Sequence, residues 1–143
     1  MAKIIGALRS AVVPRAGAFS HLSAHELAAP VIQSVIDQAG VETDQVDELV
    51  VSNALGAGGN PARLGALAAG LPVDVAGLSI DRQCVGGLDA IIRAADMVDA
   101  GRARLVVPYG WVEHAEFSMA VAIPVTPLDF ADFSDRLSIL LGV

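Results

Sequence analysis

Short apolar runs, each the length of one buried strand, alternate four times with segments of helical periodicity, and this alternation sets the fold class. The first run spans residues 3–13, with Ile4-Ile5-Gly6-Ala7-Leu8 leading into Arg9-Ser10 before Pro14 and Gly17 impose a loop. A helix then opens at Ser23. Glu26 lies three residues later, the spacing of a capping box, and Leu22 supplies an apolar residue just before the cap. Leu27, Val31, Val35 and Ile36 mark its apolar face and Gly40 ends it. Glu48-Leu49-Val50-Val51-Ser52-Asn53 reads as a second strand, and its unbroken apolar centre suits a parallel strand covered on both faces. Pro61 fits the first turn of a short helix over residues 62–69, stopped by Gly70. Residues 75–80 form a third strand. Residues 87–100 form a third helix, with Leu88, Ile91, Ile92, Ala95 and Met97 mostly inward and Gly101 closing it. Residues 104–109 form a fourth strand. The expected fold is α/β, a mixed or mainly parallel sheet with helices packed on it.

Composition narrows the function. The 143 residues suit one domain, which buries roughly 70% of its unfolded surface. Hydrophobic residues are 54% of the chain and aromatics 4%, which favours a tightly packed interior. A net charge of −7 and no basic cluster argue against nucleic-acid binding. No apolar run reaches the length of a bilayer span, the N-terminus reads as a strand and not a signal peptide, and a cytoplasmic protein without membrane partners is expected. One cysteine excludes an internal disulfide and fits a reducing compartment.

That cysteine, Cys84, lies between the third strand and the third helix. A thiol at a helix N-terminus meets unpaired N–H groups and the positive end of the helix dipole, which favour the thiolate. The competing reading is a buried, inert small hydrophobe. Elsewhere the signals are weaker. His21 and His25 are four apart, but His21 precedes the Ser23 cap, so no shared helical face for a metal is expected. Gly56, Gly58 and Gly59 do not match a phosphate-loop or dinucleotide fingerprint. Glu42, Asp44, Asp47 and Glu48 read as a solvated connection.

The run Asp81-Arg82-Gln83-Cys84-Val85-Gly86-Gly87-Leu88-Asp89-Ala90-Ile91 resembles the nucleophile segment of the thiolases, acyl-CoA acyltransferases that condense or cleave 3-ketoacyl-CoA. Arg9-Ser10-Ala11 with Gly17, Leu22-Ser23-Ala24-His25-Glu26-Leu27, Asn53 with Gly58-Gly59-Asn60-Pro61-Ala62-Arg63, and Ala100-Gly101 with Leu105-Val106-Val107 follow in the family's order. The resemblance covers roughly residues 3–113. It implies the N-terminal half of a thiolase-like fold, with Cys84 attacking an acyl-CoA thioester. Gly86 and Gly87 would let backbone and substrate approach closely, while Arg82, Asn60 and Arg63 would support the site. His114 is a candidate stand-in base. The implied substrate is a coenzyme A thioester, with no further cofactor and no metal. The strand at 75–80 is the implied dimer edge.

The sequence also departs from the family. Gly86 stands where the family usually has a small hydroxyl residue, and Trp111 replaces a glycine in Gly110-Trp111-Val112-Glu113-His114. The family's two catalytic histidines and second, acid/base cysteine have no counterpart here. Residues 1–114 are therefore expected to form the thiolase-like domain. Residues 115–143 would be a divergent tail with a short amphipathic helix near 128–141. Two function classes follow. One is an acyltransferase working through Cys84, completed by a C-terminal thiolase half in a partner chain. The other is a non-catalytic, truncated thiolase-like protein or interaction module. A ketosynthase-like condensing enzyme fits the Asp-Arg-Gln-Cys context less well.

Overall fold

The computed structural model describes residues 1–14, 16–54, 58–113, 117–122 and 125–127. Its centre is β4 (Glu48–Ser52), which pairs in parallel with β5 (Ala76–Ile80) on one side and β6 (Val106–Glu113) on the other. Among the described residues β5 is an edge strand. Beyond β6 the sheet turns antiparallel: β6 pairs with β7 (Phe117–Ala122), and β8 (Val125–Pro127) pairs with β1 (Ala2–Ile4). The sheet is therefore mixed, as the alternation of elements implied.

The N-terminal run departs from expectation. In place of one strand over 3–13 there are three short ones, β1, β2 (Leu8–Arg9) and β3 (Val13–Pro14). β1 takes β8 as partner, whereas β2 and β3 both pair with β7. The run is cut because it changes neighbour along its length, so no single ladder can hold it.

Strand pleating sorts the core into two layers. Leu49, Val51, Val107 and Tyr109 pack under α1 (Ala24–Ala39) and α2 (Pro61–Ala68), with Ile32, Val35, Ile36 and Ala66. Val50 and Val106 face the opposite way, against Ala90, Ala94 and Val98 of α3 (Gly86–Asp99). The start of α1 is set by the expected capping box: the Ser23 N–H and hydroxyl both donate to Glu26 Oε2, at 2.8 and 2.6 Å. The expected inward face of α3 is corrected in part: Ala95 and Met97 do pack against the core, and Leu88 and Ile92 do not. The buried stripe of the helix is Gly86, Ala90, Ala94 and Val98, while Leu88 and Ile92 are 58% and 46% exposed. Small residues one turn apart let the helix lie close on the sheet, and the bulkier Leu88–Ile92 stripe points away.

The acidic connection is also more than a solvated segment. Asp47 Oδ2 accepts the backbone N–H groups of Arg104 and Leu105, and Oδ1 accepts from the Arg104 guanidinium at 3.4 Å. Glu42 caps a 3₁₀ turn (Thr43–Gln45), and Glu48 begins β4, where burial raises its carboxyl above the ordinary value. Among the described residues no helix is long and apolar enough to cross a membrane. The helix expected near 128–141 lies outside the described residues.

Candidate active site

Cys84 sits where β5 hands over to α3. After Ile80 the chain makes a 3₁₀ turn (Gln83–Val85) and enters α3 at Gly86. Asp81 Oδ1 accepts the Gln83 N–H at 3.0 Å, and the Arg82 carbonyl accepts the Val85 N–H at 3.2 Å. Gln83 is held at φ +50°, a left-handed conformation that costs a side-chain-bearing residue roughly 1–2 kcal/mol. Such strain gathers where surrounding structure fixes a reactive group. Cys84 itself is exposed, so the reading as a buried small hydrophobe does not hold.

The first turn of α3 presses on the carboxyl end of β4 and on β6 at Gly110. A Cβ at Gly86 would lie 2.0 Å from Ser52 Oγ, and one at Gly110 would lie 3.3 Å from the Gly87 Cα. Of the two glycines singled out beside the cysteine, Gly86 thus stands at a close approach, whereas a Cβ at Gly87 would make only ordinary contact with the Gly110 Cα at 3.8 Å. A side chain at Gly86 would collide with Ser52, which is buried.

The remaining candidates are held elsewhere. Arg82 pairs with Asp89 of α3 at 3.9 Å, and Asp89 also pairs with Arg93 at 3.7 Å, so the Arg82 charge is shared with a carboxylate. Asn60 caps α2: its Oδ1 accepts the Arg63 N–H at 3.1 Å and the Ser79 hydroxyl at 2.6 Å, while its Nδ2 donates to the Gly77 carbonyl at 2.9 Å. The Arg63 guanidinium donates to the Val75 and Val73 carbonyls, both at 2.7 Å. Asn60 and Arg63 thus fasten α2 to the edge strand, and none of these bonds reaches the Cys84 turn. At Gly77 the fit is so close that a Cβ would meet the Arg63 nitrogen at 2.7 Å. His114 and Gly56 lie outside the described residues. His25 is within 3.1 Å of the Ser23 hydroxyl, and no group of three potential metal ligands occurs among the described residues. Sequence reasoning missed Ser52, Asp81 and Gln83. Only the Asp-x-Gln spacing at 81–83, an Asx-type turn, carried a local signal.

The turn thus presents an exposed cysteine between a parallel strand and the helix that covers it, in an α/β protein. Comparison with known proteins narrows this. The family profile "Thiolase, N-terminal domain" matches residues 2–123, and the chain belongs to the thiolase family. It is 40% identical over 109 residues to an acetyl-CoA acetyltransferase of Cupriavidus necator, a match covering 75% of this chain and 28% of that protein. Among solved structures it resembles the Bacillus anthracis acetyl-CoA acetyltransferase, at a TM-score of 0.75 and 32% identity over 82% of this chain and 35% of that one. A thiolase from Ascaris suum in complex with coenzyme A gives a TM-score of 0.76 at 27% identity, over 80% and 30% of the two chains. The match thus covers less than a third of the length of the curated relative cited.

Proposed function

We propose that this chain forms the N-terminal part of a thiolase-type acyltransferase in which Cys84 accepts the acyl group of an acyl-CoA. The observation that carries the reading is the exposed Cys84 on its strained turn, inside a thiolase match over residues 2–123. Cys84 Sγ, as thiolate, attacks the thioester carbonyl. The carbonyl electron pair moves to oxygen, and the positive end of α3 with the Cys84 N–H stabilises that oxyanion. Collapse re-forms the carbonyl and breaks its bond to the coenzyme A sulfur. That sulfur leaves as thiolate and takes up a proton, and the acyl group stays on Cys84. Gly86 and Gly87 keep the approach open, Arg82, Asn60 and Arg63 support the scaffold, and His114 is a stand-in base in this reading. The carbon–carbon bond step needs a base and a second oxyanion donor. The reading draws these from a complementary C-terminal thiolase chain, in the cytoplasm.

The same reading pairs two copies through β5. Its edge position supports this, as do the exposed Leu78 on the strand, Val85 in the turn before α3, and Leu88 and Ile92 on α3. These features also favour a second reading, a non-catalytic thiolase-like module that associates through this edge. Intact mass after incubation with acetyl-CoA and acetoacetyl-CoA, with Cys84→Ala as control, separates the two. An acyl adduct on wild type that the variant lacks supports the enzyme. A folded wild type that stays unmodified overturns the covalent step and leaves the module.

A further inference from the structure

We propose that Ser52 is a positioning residue for the Cys84 turn: its buried side chain fills the space that a side chain at residue 86 would need, and so sets how deeply α3 seats on the sheet. Ser52 ends β4 and lies in register with Ile80 of β5 and Gly110 of β6. It is 3% exposed, the one buried polar residue among those described. A Cβ at Gly86 would fall 2.0 Å from its Oγ and 3.0 Å from its Cβ, so the side chain points straight at the first residue of α3. A substituent at 86 therefore forces the Ser52 hydroxymethyl, the helix or both to move. Next to this contact, Gly87 and Gly110 bring helix and strand backbones together, with a Cβ built at Gly87 reaching the Gly110 Cα at 3.8 Å. Two residues before Gly86 is Cys84, so the depth of this seat fixes where Sγ stands relative to the carboxyl edge of the sheet. The functional meaning rests on Cys84 being the nucleophile, but the geometric claim does not.

The test is a swap. Cys84 alkylation by iodoacetamide is followed against pH, together with thermal melting, for wild type, Ser52→Gly, Gly86→Ser and the double variant Ser52→Gly/Gly86→Ser. Gly86 has ordinary helical angles, φ −58° and ψ −38°, so Gly86→Ser strains no backbone and reads the contact with Ser52. Gly86→Ser should change the alkylation rate about tenfold, the size of coupling typical of side chains that touch, and shift the pH at half-maximal rate. The double variant should return both to near wild type. If Gly86→Ser does not fold, a folded double variant with wild-type kinetics supports the proposal equally. Gly86→Ser alkylating as wild type, or a double variant no closer to wild type than Gly86→Ser, overturns it. Absence of the acyl adduct on wild type, with the swap still rescuing alkylation, would sink the acyltransferase reading and leave the positioning role standing.

Discussion

Tyr109→Phe should stabilise this protein, against the usual sign for a core substitution. Tyr109 lies on β6 with its side chain under α1 and α2, and it is 1% exposed. Its hydroxyl is buried and has no hydrogen-bond partner among the described residues, and burial pushes the phenol well above its ordinary value near 10, so it stays neutral. A buried hydroxyl without a partner costs about 1–3 kcal/mol, and removing it recovers that cost. Against this stands the dispersion attraction between the phenol oxygen and its neighbours, a few tenths of a kcal/mol for one atom at ~0.1–0.2 kcal/mol per atom pair. The net expectation is a gain of about 1 kcal/mol, or roughly 3 °C in Tm for a chain of this size. Urea unfolding should show a higher midpoint at unchanged m. The alternative is a water in the cavity that Tyr109 lines with Ala24, His25, Ala28, Val51, Ser52, Asn53, Pro61 and Gly65. That cavity holds about 10 Å³, the lower limit for a single water. A water bridging the phenol to a polar group there would reverse the sign. Destabilisation by about 1 kcal/mol or more would therefore refute the claim that the hydroxyl is unpaired.

Asp47→Asn should cost about 1–2 kcal/mol by weakening the clamp on Arg104 and Leu105, read by urea unfolding at pH 7. Burial pushes the Asp47 carboxyl up, but the Arg104 and Leu105 N–H groups and the Arg104 guanidinium outweigh it and hold the carboxyl below its ordinary 3.8. A depressed carboxylate contributes stability above its unfolded value and loses it as pH falls through the folded one. The wild type should therefore lose more stability than the variant on acidification below 3.8, and parallel curves would count against this. Asn60→Ala should cost about 1–2 kcal/mol by removing the α2 cap and its bonds to β5, with Cys84 alkylation unchanged; altered alkylation would place Asn60 in the site. Arg82→Ala should leave stability within about 0.5 kcal/mol, because the Arg82 side chain is exposed, its contact with Asp89 is long at 3.9 Å, and Arg93 remains beside that carboxylate; a larger loss by urea unfolding would give Arg82 a structural role.

The features legible in the sequence are those whose cause lies within one turn or one strand. Ser23 and Glu26 meet across a single helical turn, Pro61 follows the Asn60 cap directly, and the apolar run of β4 needs only its own length to be read as covered on both faces. The features that sequence reasoning misses depend on distant partners. The cut of the N-terminal run into β1, β2 and β3 is dictated by β7 and β8, more than a hundred residues away. Asp47 reads as solvated because the N–H groups it holds are 57 and 58 residues on. The α3 face misleads for a different reason. Leu88 and Ile92 mark one apolar stripe, and Gly86, Ala90, Ala94 and Val98 mark another. Hydrophobicity favours the first, but close approach to the sheet favours the second, and the contact of Gly86 with Ser52 decides between them. The site follows the same division. The cysteine's place at the head of a helix can be read locally, whereas the seat that holds its turn is built from β4 and β6 and exists only once the sheet has formed.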